Sequence, residues 1–218
     1  MSTVSAYKFH GSQIAVLVGF TADSPVPAIS AITQANPAVV TDSGHNLVDG
    51  DVILLSGVVG MTELNGKRVV VEKIDANTFK LLGVDSSGYG AWVSGGTYTI
   101  GDFSNFCDLT NYNRTGGTSP EISTTALCST AQEYLLGLPD FGTTAIDFNF
   151  APSTAVQAAI QDAYISGDLI AVKVILENGD TMVQMGFVQQ TSESAGVGGI
   201  WTGSLTIRNT GNREDFFA

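Results

Sequence analysis

The sequence predicts a mainly β protein with one flanking α-helix, one long loop and a small antiparallel β-barrel inserted near the N-terminus. Three observations carry that prediction. Apolar and polar residues alternate with a period of two in several segments, as in Ile146-Asp147-Phe148-Asn149-Phe150, the mark of a strand with one buried face. Convincing helical spacing is confined to one stretch. Residues 29–100 break into short β-rich runs split by Asp49-Gly50, Asn65-Gly66 and Gly95-Gly96, which reads as closely spaced strands and turns.

Composition narrows the function classes. Hydrophobic residues make up 44% of the 218 and charged ones 14%, against about 25% charged in an average globular chain. Nine cations face 21 acids, for a net charge of −12. A chain this poor in Lys and Arg is unsuited to wrapping DNA or docking on an acidic membrane. Its hydrophobicity sets it apart from disordered acidic chains. Apolar runs stay far below the roughly 18–20 residues of a membrane-spanning helix. Cys107 and Cys128 are too few for a disulfide framework or a metal set. They fit assembly in a reducing compartment, with a single disulfide as the alternative.

Along the chain, Ile14 to Phe20 is a seven-residue apolar run behind Lys8. It is short for a secretory signal, Thr21-Ala22-Asp23-Ser24-Pro25 is a poor cleavage site, and a buried strand is the better reading. Pro25 and Pro27 stand at the entrance to the insert. Its runs are Val52 to Leu55, Arg68 to Ile74, Thr78 to Leu82 and Tyr98 to Ile100. The insert holds seven acids and four bases, net −3, and the remainder is net −9. Asp108 to Pro120 shows no periodicity and reads as a long loop. A short helix is expected around Thr130 to Leu136, closed by Gly137. The convincing helix opens at Ser153 or Thr154 as N-cap, carries Val156, Ala159, Ile160, Ala163 and Tyr164 on one face, and ends at Ser166-Gly167. Leu169 to Leu176 is a strand, Asn178-Gly179 predicts a type I′ hairpin turn, and the return strand covers Thr181 to Gln190. The last strand, Trp201 to Arg208, sets Trp201, Leu205 and Ile207 on one side.

Chemistry-bearing patterns are sparse. His10 and His45 lack a Cys, His or Asp at metal spacing, and His45 reads as a structural turn residue. Asp49 and Asp51 form only part of the oxygen-rich loop a calcium ion needs. Gly196-Val197-Gly198-Gly199 lacks the lysine and strand–turn–helix setting of a phosphate loop. The reading is therefore not an enzyme, with no cofactor and no metal. Phe216 and Phe217 at the C-terminus are costly to leave exposed and are expected to dock on their own barrel or on a neighbour. Arg114 reads either as a partner for an acid on another subunit or as a solvated loop residue.

Two resemblances follow from the residues. Gly11-Ser12, Asp108-Leu109-Thr110, Ser123-Thr124-Thr125, Leu135 to Gly142, the strand to Phe150, the helix from Ser153, the Asn178-Gly179 hairpin and Leu205 to Gly211 recur in an order and spacing that resemble the major tail tube proteins of long-tailed bacteriophages. The insert resembles a small β-barrel module known from the first catalytic-cysteine half-domain of ubiquitin-activating enzymes. It does so through Asn36 to Thr41, His45 to Asp51, Ser56 to Gly66, Asn77 to Leu81 and Ser94 to Thr97. The module contains no cysteine, so ubiquitin chemistry is not implied.

The tail tube resemblance implies a β-barrel or sandwich of residues 1–28 and 101–218 around an insert of 29–100. It implies rings, six-membered in that family, stacked into a hollow tube around a tape-measure protein and meeting tail terminator and baseplate or tip proteins. Phage DNA passes without specific binding, and no membrane is involved. Localisation follows as the virion tail, assembled in the bacterial host cytoplasm. A bore that passes DNA is expected to be acidic, because a basic lining would hold phosphates through counterion release. Asp147, on a polar strand face, is a lumen candidate, with an ordinary solvated face as the alternative. Asn111, Tyr112, Asn113, Arg114 and Thr115 form the expected subunit-interface loop. The insert is expected to decorate the exterior. Two rival readings are a host-surface or glycan-binding module of a tail tip or fibre, and the inner tube protein of a contractile secretion system.

Overall fold

The computed structural model describes residues 8–22 and 28–218; Pro25 and Pro27, read as the entrance to the insert, lie outside the described residues. The chain is mainly β. The first strand, β1 (Gln13–Ala22), is the apolar run read as a buried strand, and Val16 is fully buried. The insert follows with β2 (Ala31–Ile32), β3 (Ala38–Thr41), β4 (Val52–Val59), a 3-10 turn at Thr62–Leu64, β5 (Arg68–Lys73) and β6 (Thr78–Leu81). Then β7 (Ser94–Asn105) pairs its first half with β4 and its second half with β1, and residues 99 and 100 pair with both. The expected boundary at 100/101 therefore falls inside one continuous strand. The remaining strands are β8 (Leu109–Thr115), β9 (Glu121–Ser123), β10 (Tyr134–Leu136) and β11 (Thr143–Asn149). After the helix α1 (Ala155–Ser166) come β12 (Leu169–Ile175), β13 (Thr181–Ser194), β14 (Thr202–Asn209) and β15 (Glu214–Phe216).

The strand path beyond the insert runs β7-β1-β12-β13-β14-β11-β8, all antiparallel, with β15 added to β13. It curls on itself. Phe106, just after β7, meets Phe148 of β11 with ring centroids 5.2 Å apart, although four strands separate β7 from β11 in the path. The ladders stop short of closure, leaving β7 and β8 at the two ends of an open barrel. Inside lies a core of Ile14, Val16, Ile146, Ile170, Val172, Leu205 and Ile207, closed by Val156 and Ile160 of α1. The insert has its own core, centred on Val40, Leu47, Ile53, Leu55, Phe79, Leu81 and Tyr98. A third, smaller cluster joins the two parts: Val52 and Val70 from the insert against Leu17, Ala171 and Val183.

Several local expectations change. The segment Asp108 to Pro120 is chiefly the strand β8, paired along β11 from Leu109↔Phe148 to Thr115↔Thr143. Its Asn-rich composition disfavours strand, but the barrel's free edge supplies backbone partners that propensity does not register. The short helix around Thr130 is replaced by β10, hydrogen-bonded to β9. So few residues without a buried face cannot sustain a helix nucleus. Helix α1 starts after Thr154 and ends at Gly167 in the left-handed conformation, as a glycine C-terminus does. Its buried face holds Gln157, whereas Tyr164 points to solvent. Gln157 earns that place by bonding the Asn149 carbonyl and the Ala151 amide at 2.9 and 2.8 Å.

The Asn178-Gly179 hairpin forms, but not as a type I′ turn, which needs positive φ at both central residues. Only Gly179 has it (φ 94°). The Gly179 amide bonds the Leu176 carbonyl and the Leu176 amide bonds that of Asp180, the three-residue loop with a glycine bulge. Trp201 falls just outside β14 and is exposed, stacked loosely on Phe150 at 6.0 Å.

Candidate functional site

The residues singled out for chemistry are taken up by structure. His45 is buried edge-on to Phe79, ring centroids 5.1 Å apart. Asp49 accepts the Lys73 amide at 2.7 Å, and Asp51 accepts the Val48 amide at 3.0 Å. Among the described residues, no three of His, Cys, Asp and Glu are grouped to hold a metal ion. Cys107 and Cys128 are both free and exposed. Among the described residues, no helix is long and apolar enough to cross a membrane.

The five residues 111–115 sit on the edge strand β8, and alternation divides them. Tyr112 and Arg114 turn toward the barrel interior, and Arg114 donates to Gln184 Oε1 from Nε and Nη2 at 3.3 and 3.1 Å. Within the chain, its partner is thus a neutral amide. Burial raises the Tyr112 hydroxyl pKa, against the opposing pull of the Arg114 charge. Asn111, Asn113 and Thr115 face outward and are exposed. Asp147 lies on that outer face of β11, exposed, accepting a bond from Asn111 Nδ2 at 3.0 Å. Ser204 and Ser192, in register with it across β14 and β13, bond each other at 2.7 Å. The outer face of β8, β11 and β14 is thus a polar surface that bears the Asp147 carboxylate and the exposed Arg208, which pairs with Asp140 at 2.8 Å.

A feature that sequence reading missed stands beside it. Strands β9 and β10 form a separate two-stranded arm between Gly117 and Asp140, and every residue of both strands is exposed. Ile122, Leu127, Tyr134, Leu135, Leu136 and Leu138 are all solvent-facing, Leu127 and Leu138 almost wholly. The arm is anchored by the Gly137 amide on the Pro120 carbonyl (2.7 Å) and the Asp140 amide on that of Thr118 (2.8 Å). The legible signal was Leu135-Leu136-Gly137-Leu138, an apolar run with no helical or strand face to hide on.

At the junction of insert and barrel, scarce cations make the links. Lys173 Nζ reaches Asp51 Oδ1 at 3.5 Å and lies 4.4 Å from the Phe103 ring centre. Burial lowers the Lys173 pKa, with Asp51 pulling the other way. Arg68 pairs with Asp168 at 3.0 Å and donates to the Leu169 carbonyl. Phe216 packs between the two parts, in the third core, while Phe217 is exposed.

The chain is similar to one from the tail of an empty GTA particle, refined with helical C6 symmetry. The TM-score is 0.44 and the identity 15%, over 53% of this chain and 87% of that one. It is also similar to the SPP1 tail tube, at TM-score 0.42 and 17% identity over 54% and 69%. Among curated proteins, a ubiquitin-activating enzyme E1 of Triticum aestivum is 40% identical over 75 residues. A ubiquitin-like modifier-activating enzyme 1 of Oryctolagus cuniculus is 35% identical over 72. These matches span 33% and 31% of this chain but only 7% of either relative. Residues 35–101 match the family model of the ubiquitin-activating enzyme E1 FCCH domain: the insert is similar to that domain, and the match ends where β7 passes from the insert's sheet into the barrel's.

Proposed function

We propose that the chain is a structural subunit that polymerises as stacked rings into a phage tail tube, and that the β9–β10 arm joins one copy to another. The arm carries this reading. A two-stranded hairpin is at best marginally stable alone in water, and an exposed apolar surface of this kind marks an interaction site. A second copy is the occupant that the sequence resemblance to tail tube proteins supports. A head-to-tail contact of this kind builds rings or filaments according to whether its rotation closes.

The finer parts of the proposal follow from that resemblance. Rings of six surround a tape-measure protein and end on terminator and tip proteins. The polar outer face of β8, β11 and β14, with Asp147, Asn111, Asn113 and Thr115, lines the bore; Asp147 repels passing DNA phosphates, and Arg208 on the same face is neutralised by Asp140. Residues 29–100 form an inserted unit over the other flank of the curled sheet, on β1 and β12, directed to the tube exterior. The protein resides in the virion tail after assembly in the bacterial cytoplasm and acts by geometry and charge, without a catalytic step.

Negative-stain electron microscopy across a concentration series tests this. The parent chain is expected to form tubes or stacked rings with an open bore, and Leu135→Ser with Leu136→Ser to remain monomeric. A parent chain that stays a monomer or a small closed oligomer at every concentration overturns the reading.

A further inference from the structure

The insert is tied to the barrel covalently at two places, through residues 22–28 and through β7. The parts also meet through the third core, and what fixes their orientation is the packing there. We propose that the C-terminal strand β15 is a latch that holds the insert in a fixed orientation on the barrel.

The geometry is that of a strap. Strand β15 has three residues and, among the described residues, pairs with β13 alone, as Thr181↔Phe216, Met182↔Asp215 and Val183↔Glu214. Alternation along a strand puts Glu214 and Phe216 on one face, and that face meets the insert. The Phe216 ring lies so close to the Asp49-Gly50-Asp51 corner that a Cβ at Gly50 would stand 3.2 Å from its Cε2, and equally close to Val183 Cγ2. Glu214 lines a cleft of about 560 Å³ between the two parts, with Val70 and Leu82 of the insert opposite Met185 and Phe187 of β13. Beyond the strand, the Ala218 amide bonds Asp180 Oδ1 at 3.0 Å, fastening the end of the chain to the β12–β13 hairpin. The corner held by Phe216 also carries Asp51, the partner of Lys173. Holding Gly50 in place therefore holds that ion pair in register.

The latch is tested in the full chain with spin labels on the exposed native Cys107 and on Gly88→Cys, in a Cys128→Ser background. Gly88 has open space around it, so the label reports orientation without disturbing the insert. The latched chain is expected to give one narrow distance distribution. Phe216→Ala is expected to broaden it, and so is carboxypeptidase removal of Phe216 to Ala218 from the already folded chain. The trimmed chain decides the matter where Phe216→Ala does not fold. A distribution as narrow after trimming as before overturns the proposal.

Discussion

The insert and the β9–β10 arm are opposite solutions for apolar residues in short antiparallel strands. In the insert, Val40, Leu47, Leu55, Phe79 and Leu81 are fully buried within one small unit. In the arm, Ile122, Leu135 and Leu136 are left more than half exposed. Both are built from short strands; they differ in whether enough strands converge to enclose a core. Six strands do so in the insert, β7 being shared with the barrel, and two do not in the arm. Apolar residues in this chain thus serve folding in one region and, on the proposed reading, assembly in another.

The comparison breaks most sharply at Phe79, which sits edge-on between His45 and Tyr98 with no exposure. Phe79→Ala is expected to cost about 3–5 kcal/mol, read as a lower denaturant midpoint, with the arm's assembly surface untouched. Next comes the junction. The side chains of Lys173 and Asp51 are only 12% and 18% exposed, and removing one partner of a buried pair leaves the other charge uncompensated. Lys173→Met should cost about 3 kcal/mol, because it leaves Asp51 without its counter-charge, while Lys173→Met combined with Asp51→Asn is expected to be much closer to neutral, since both charges are then removed. A loss as large in the double variant as in the single one would mean that the ion pair is not what the single substitution removed.

Smaller effects sharpen the same contrast. Gly50 has φ +79° and the Phe216 ring against it. Gly50→Ala should cost about 1–2 kcal/mol for the left-handed backbone alone, measured by denaturant unfolding. Burial raises the Glu214 pKa above its ordinary value of 4.5, assisted by Asp215 beside it and Glu72 of the insert opposite. Around them Lys80 pairs with Glu72, Arg213 pairs with Asp215, and Lys67, Arg68 and Asp168 line the same cleft. A folded carboxyl with a raised pKa binds more protons than the unfolded one, so its contribution to stability falls as pH rises through the window just above 4.5. Glu214→Gln is expected to remove that part of the pH dependence; an unchanged profile places the titration elsewhere. The smallest folding effect belongs to the arm. Leu136→Ser should change stability by less than about 0.5 kcal/mol yet abolish tube formation, and a large stability loss would show that the arm packs on its own chain.

Much of the fold was legible because it rests on local pattern. The alternation at Ile146 to Phe150, the apolar run at Ile14 and the helix ending at Gly167 state their own structures. Misreadings cluster where backbone pairing, not side-chain pattern, decides. Strand β8 is polar and Asn-rich, and only the free edge of β11 makes it a strand. Arg114 bonds Gln184, 70 residues away in sequence, a contact no local pattern announces. The arm's strands carry apolar residues on both faces, a pattern that matches a buried element as well as an exposed one.

The sequence by itself determined the β class, the insert and its likeness to a known module, and the scarcity of cations, because each is a property of composition or of spacing within some tens of residues. The tertiary structure alone decided that β7 is shared by both parts, that Lys173 and Arg68 are used at their junction, that Phe216 closes over Gly50, and that the arm is left bare. The physical reason is the same in each case. These outcomes depend on which distant strands share a sheet and which faces remain uncovered once the cores have filled, and no local pattern encodes that.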